Sequence, residues 1–99
     1  MSSSANELTR PLAADVDVSD DELIVHLTDG RSISAPIMWY PRLASGTAQE
    51  RANWRLTGSG NGVHWPDLDE DISVEALLEG RRSTESSSSL KKWLAARGK

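Results

Sequence analysis

Apolar and polar residues alternate through the first third of the chain. Val16 and Val18 share one face, and Asp15 and Asp17 share the other. A period of two predicts a strand with one side buried. Ser19-Asp20-Asp21 then reads as a turn. Leu23, Val25 and Leu27 alternate against Ile24 and His26, which predicts a second strand. Asp29-Gly30 is a hairpin signal, because glycine takes positive φ without penalty. Ile33, Ala35 and Ile37 continue the alternation as a third strand. Pro36 lacks a backbone donor, so this strand is expected at a sheet edge. Such an edge is one route to a homodimer by strand pairing.

The pattern changes after Trp39. Pro41 suits the first turn of a helix, and Gly46 ends it. Thr47 stands three residues before Glu50, the spacing of a capping box. Two short helical segments are predicted, at about 41–45 and 48–53, with Ala48 and Ala52 on one face. Trp54 and Leu56 alternate with Arg55 and Thr57 as a fourth strand. Gly58 to Gly62 forms a flexible turn. Val63 and Trp65 alternate with His64 as a fifth strand that stops at Pro66. Ser73 is an N-cap candidate, Val74, Leu77 and Leu78 form an apolar face, and Gly80 follows where a C′ glycine belongs.

These elements predict an α+β fold: a small, mostly antiparallel sheet of about five strands with short helices. Residues 14–80 form the domain. Residues 1–13 read as a disordered N-terminal arm, being Ser-rich and polar at the start. Residues 81–89 read as a Ser-rich linker, and 90–97, LKKWLAAR, as a short amphipathic helical tail. Eight residues alone do not hold a helix in water, so the tail is expected to be mobile until it meets a partner.

Composition narrows the classes. The chain has 99 residues, four Trp, one Tyr and no Phe. Without cysteine it has no disulfides and no thiolate nucleophile or ligand. No apolar run approaches the roughly 18–20 residues of a membrane span, so no membrane partner is expected. The start lacks the basic and apolar regions of a secretory signal, and a cytoplasmic location is expected.

Charge is segregated. Residues 1–30 carry seven acids against Arg10; residues 66–80 carry six acids and no base. Residues 31–65 carry four Arg against Glu50, and residues 81–99 carry six bases against Glu85. An acidic body disfavours broad phosphate-backbone binding. The basic tail keeps a nucleic-acid contact open as the alternative.

Several motifs invite a chemical reading. The glycine cluster 58–62 joins two strands and lacks the Lys-Ser/Thr of a phosphate loop. Asp67, Asp69 and Asp71 have the spacing that opens a calcium loop. However, Ile72 stands at the sixth position and Leu78 at the twelfth, where that loop needs Gly and Glu. Carboxylates ahead of a helix are also favoured by its dipole. His26 and His64 have no Ser or Asp placed by sequence to complete a triad. No catalytic residue, metal or cofactor is therefore expected. The candidate partner-binding residues are the acidic elbow Asp67, Asp69, Glu70 and Asp71, then Trp39, Tyr40 and Arg42, and Trp93 in the tail. Trp, Tyr and Arg are the types enriched at interface hot spots.

The hairpin DGR at 29–31, YPRL at 40–43, T-A-Q-E-R-x-N-W at 47–54 and WPxLDEDISVExLLxG at 65–80 together resemble the small bacterial family known as domain of unknown function 2442. The resemblance covers about residues 14–80. It implies a small α+β domain with no established activity and no defined catalytic residues. Members of the family are often encoded beside a second small protein in a pair like a toxin–antitoxin module, and some carry an added helix-turn-helix domain. The resemblance thus implies an antitoxin-like protein that neutralises or regulates a second small protein, and the acidic body of this chain points to a basic partner. The alternative is a transcriptional regulator that reaches DNA through a complex or through the basic tail.

Overall fold

A computed structural model describes residues 11–98. Most of the expected N-terminal arm lies outside the described residues. Ala13, placed at the end of that arm, instead opens the first strand and is buried.

The alternating first third folds as expected. Strands β1 (Ala13–Val18), β2 (Glu22–Leu27) and β3 (Ser32–Pro36) form an antiparallel sheet in that order. Val16 faces Val25, and Val25 faces Ile33. The register slips once, between Ala13 and Asp15. Leu23, Val25 and Leu27 all point into the core. Pro36 closes β3, and Ile37–Trp39 turns as one 3-10 segment instead of extending the strand.

Helix α1 (Pro41–Ala44) starts at the proline, as expected. Helix α2 (Ala48–Ala52) carries the full capping box: the Glu50 N–H donates to Thr47 Oγ1 at 3.1 Å, and the Thr47 N–H donates to Glu50 Oε1 at 2.9 Å. Strands β4 (Arg55–Thr57), β5 (Gly62–Trp65) and β6 (Glu70–Ser73) form a second antiparallel sheet. Helix α3 (Val74–Leu78) follows at once, capped by Ser73 Oγ. Among the described residues there are thus six strands in two sheets, not about five in one. The sixth was hidden because EDIS offers only Ile72 to an alternating pattern and reads first as an acidic elbow.

One apolar cluster draws on both sheets. Its largest fully buried members are Trp65, Leu23, Leu43, Leu68, Val25 and Val63. Fully burying such aliphatic side chains contributes about 1.5–3 kcal/mol each. Trp65 satisfies its indole N–H on the Arg51 carbonyl at 3.0 Å, so the ring is anchored under α2. The sheets also join directly, where the Ala13 N–H donates to the Gly60 carbonyl at 2.7 Å. A Cβ on Gly60 would lie 2.7 Å from the Ala13 carbonyl oxygen, so this junction requires glycine.

The tail differs from its expectation. Ser87–Ser89, assigned to the linker, form the first turn of an eleven-residue helix, α4 (Ser87–Arg97). Ser86 caps it by accepting the Ser89 N–H at 3.1 Å. The helix packs on its own domain through Trp93, and that contact supplies what a short isolated helix lacks.

Candidate partner-binding site

The acidic elbow is the link from β5 to β6. The Leu68 N–H closes it on the Trp65 carbonyl at 3.2 Å. Leu68 is fully buried and drives the elbow onto the core. It packs so tightly on Gly46 that a Cβ there would lie 2.8 Å from Leu68 Cδ1. Asp69 takes φ of +51°, a left-handed conformation that Asp tolerates better than most residues. These restraints turn the carboxylates of Asp67, Asp69 and Asp71 outward.

Each carboxylate is held by a partner. Asn53 Nδ2 donates to Asp67 at 2.9 Å. Arg42 Nη1 donates to the Asp69 carbonyl at 3.1 Å and lies 3.4 Å from its carboxylate. Asp71 accepts from His64 Nδ1 at 2.8 Å when that nitrogen carries the proton. The Asp69 and Asp71 side chains nevertheless remain 81% and 71% exposed. Glu70 turns inward. Burial pushes its carboxyl up to about 7, against the opposing effects of the Asp71 N–H and Arg42. Among the described residues no group of three or more His, Asp or Glu converges as a metal set.

Arg42 is the hub of the region. Its Nε and Nη2 clasp Glu85 at 2.6 and 2.8 Å, while Nη1 reaches Asp69. The pair is well shielded, with side chains 15% and 9% exposed. The Arg42 guanidinium holds the Glu85 carboxyl below its usual range, and Ser89 adds to this. Two guanidinium groups lie over the Trp93 ring, Arg42 at 4.9 Å and Arg97 at 4.8 Å from its centre. Arg97 in turn clasps Glu50 at 2.6 and 3.1 Å, which together with the Thr47 N–H lowers the Glu50 carboxyl to about 2.

Of the residues singled out in the sequence, Arg42, Asp69, Glu70 and Trp93 therefore gather in one region, and Asp67 and Asp71 continue it along the elbow. Tyr40 is buried and donates to the Arg81 carbonyl at 3.3 Å, so its role is in packing. Trp39 is half-buried under Arg82, whose guanidinium stands 4.7 Å from the ring. Trp93 finds its aromatic contacts within the molecule. Tyr40, Thr57, Val63, Glu70, Asp71 and Arg82 help to line a cleft of about 440 Å³ that reaches from β4 and β5 across β6 to the segment 81–84.

Three contributors escape a reading by sequence. Glu85 looks like a lone acid in a serine run. Leu68 looks like a loop residue, although its place between Asp67 and Asp69 was a signal of inward pointing. Arg51 is buried: it donates to the Leu43 and Ala44 carbonyls at 2.8 and 2.9 Å and to Asp20 at 2.7 Å. It satisfies the Ala44 carbonyl that α1 leaves open at its C-terminus and adds a second donor to that of Leu43, which the Gly46 N–H also meets.

This architecture defines a small α+β domain whose distinctive charged feature is an ordered, solvent-facing acidic elbow. The chain belongs to the DUF2442 family, described as a protein of unknown function, which matches residues 13–83. A crystal structure of a protein of unknown function from Rhodospirillum rubrum is similar, with 29% identity and a TM-score of 0.66. That match covers 77% of this chain and 94% of the other. The solution structure of an uncharacterized protein from Chromobacterium violaceum is similar at 25% identity and a TM-score of 0.66. It covers 96% of this chain and 85% of that one. No curated protein matches the chain. Among the described residues no helix is long and apolar enough to cross a membrane.

Proposed function

We propose that this protein is a small interaction module, antitoxin-like, that binds a second, basic protein through the acidic elbow Asp67–Asp71. The observation that carries the reading is the pairing of exposure with fixation. Asp69 and Asp71 stay open to solvent while Arg42 and His64 hold their positions. Carboxylates fixed in advance lose little side-chain freedom on docking, and complementary charge steers the encounter. Binding here neutralises or regulates the partner; no step of chemistry is assigned.

The nucleic-acid alternative draws on the basic tail. Arg97 is committed to Glu50, and Arg81 lies on Glu79 at 2.8 Å. Lys91 and Lys92 remain exposed on α4, a small electrostatic footprint for phosphates. The protein-binding reading is therefore the better supported.

Capture from the native host with wild type and with Asp67→Asn/Asp69→Asn/Asp71→Asn tests the proposal. The captured protein is identified and expressed alone and with this chain. Growth arrest relieved by wild type and not by the triple variant supports it. A harmless partner, or equal relief by both, contradicts it.

A further inference from the structure

Strand β3 ends the first sheet, and its outer side has a definite backbone pattern. The Leu27 N–H donates to the Arg31 carbonyl at 2.7 Å, and the Ile37 N–H donates to the Asp21 carbonyl at 2.9 Å. Both bonds follow the register that sets Val25 opposite Ile33. Bonded and non-bonded pairs alternate along an antiparallel ladder. Ile33 and Ala35 therefore bond inward to β2, whereas Ser32 and Ser34 turn their N–H and C=O groups outward. Helix α3 approaches β3, but among the described residues no group meets these outward donors and acceptors. Pro36 is in the same phase as Ser32 and Ser34. Its missing N–H therefore faces outside, leaves the inner ladder whole and stops an added strand at Ser34.

The strand carries no charged side chain to guard this edge. Charges stand instead at its two ends, with opposite signs. Arg31 precedes the strand and is 63% exposed. Its Nε lies on Asp29 at 2.9 Å, and its Nη atoms have no partner among the described residues. At the far end, Asp21 and Glu22 line a shallow hollow with Ser34, Ala35 and Pro36. Arg51 takes the neighbouring Asp20, and neither Asp21 nor Glu22 has an ion pair among the described residues.

We propose that a second copy of this chain pairs with β3 in antiparallel fashion about a two-fold axis at Ile33, joining two first sheets into one. Ser32 faces Ser34 of the second copy and exchanges main-chain bonds with it, and the axis repeats the exchange. The half-buried Ile33 meets its own counterpart in the close, non-bonded pair. Arg31 then stands opposite Ala35 of the second copy, at the hollow that Asp21 and Glu22 line. An edge with its cation at one end and its acids at the other is complementary to itself under this axis, which is why the occupant is a second copy. Axes at Ser32 or Ser34 would use the same outward groups but place Arg31 opposite Ile33 or Ile37, away from the hollow. The other edges fit less well. β4 has only three residues, β6 runs at once into α3, and β1 is tied to the second sheet where Ala13 meets Gly60. The inference goes beyond the basic-partner reading and does not depend on it, since the elbow belongs to the second sheet.

The test follows the full-length, nitrogen-15-labelled protein by sedimentation equilibrium and amide spectra from about 20 μM to about 1 mM, the range in which so short an interface is expected to associate. The mass should rise toward that of a dimer. The Ser32 and Ser34 amides should shift and exchange more slowly with concentration, while Ile33 and Ala35, already bonded to β2, keep their protection. Ser34→Pro removes an outward donor and spares the inward bonds, so it should raise the dimer Kd at least about tenfold. Arg31→Glu should raise it at least about fivefold, and Arg31→Glu combined with Asp21→Lys/Glu22→Lys should restore it. Spectra of dilute samples check that each variant folds; if Ser34→Pro does not, the charge exchange decides. A protein that stays monomeric at about 1 mM overturns the proposal. So does a dimer whose Ser32 and Ser34 amides do not respond, or one equally tight in the folded variants. Weakening by Arg31→Glu that the exchanged charges do not repair overturns the register, and the proposal with it.

Discussion

Replacing Glu70 with glutamine keeps the shape and the acceptor for the Asp71 N–H and removes a charge that the fold disfavours. The folded carboxyl sits at about 7 against an ordinary value of 4.5, with burial as the leading cause. The folded state therefore keeps a proton that the unfolded chain releases between those two values. Wild-type stability from this group is greatest below 4.5, falls as pH rises toward 7, and is level above it. A displacement of that size corresponds to at most about 3 kcal/mol. The side chain is open to solvent on its cleft side, which reduces the expected effect to about 1–2 kcal/mol. Glu70→Gln should match wild type near pH 4 and exceed it near pH 8. In a domain this small, the gain corresponds to a melting temperature higher by about 5–10 °C. Glu50 and Glu85, whose carboxyls are lowered, contribute stability that is lost as pH falls, and this bends both curves alike. The difference between variant and wild type isolates Glu70. Thermal unfolding followed by tryptophan fluorescence across this range is the assay. A difference that does not change with pH, or a Glu70→Gln protein less stable at pH 8, would refute the reasoning.

Trp65→Ala should cost about 3–5 kcal/mol, since the ring is fully buried and loses its bond to Arg51; an unchanged melting temperature would place it outside the core. Arg51→Met should cost about 1–3 kcal/mol by leaving the Ala44 carbonyl without its donor, the Leu43 carbonyl keeping the Gly46 N–H, whereas Asp20→Asn, on a partner 93% exposed, should cost less than about 1, as denaturant titrations would show. Glu85→Gln combined with Trp93→Ala should free α4, read as a fall in the heteronuclear NOE of residues 90–97, while core amides stay unchanged; a rigid tail in that variant would mean other contacts hold it.

The first sheet was legible because its strands alternate with a period of two, broken only where the register slips between Ala13 and Asp15, and Asp29-Gly30 fixes the turn between β2 and β3. Thr47 and Glu50 announced their helix through local capping chemistry. β6 was not legible, because its pairing with β5 comes from register and not from its own pattern. Arg51 was not legible either. Nothing local says that an arginine will be drawn inward by the open end of another helix. For the candidate site, the sequence exposed the acidic residues and Arg42 but not their division of labour. Glu70 faces in and Asp69 and Asp71 face out because Leu68 and the left-handed Asp69 set the turn. The tail reading failed in one respect. Its stripe was correctly seen as needing a surface, but that surface lies on its own domain, where Glu85 and Arg97 find Arg42 and Glu50.

The most direct test of the elbow as the docking site is titration calorimetry of the captured partner against wild type and against Asp67→Asn/Asp69→Asn/Asp71→Asn. Measurements at about 0.05 M and about 0.3 M salt separate screened from unscreened contributions. At low salt the triple variant should bind at least about tenfold more weakly, and the gap should narrow at high salt. Equal affinities at both salt concentrations would contradict the account and place the partner elsewhere on the molecule.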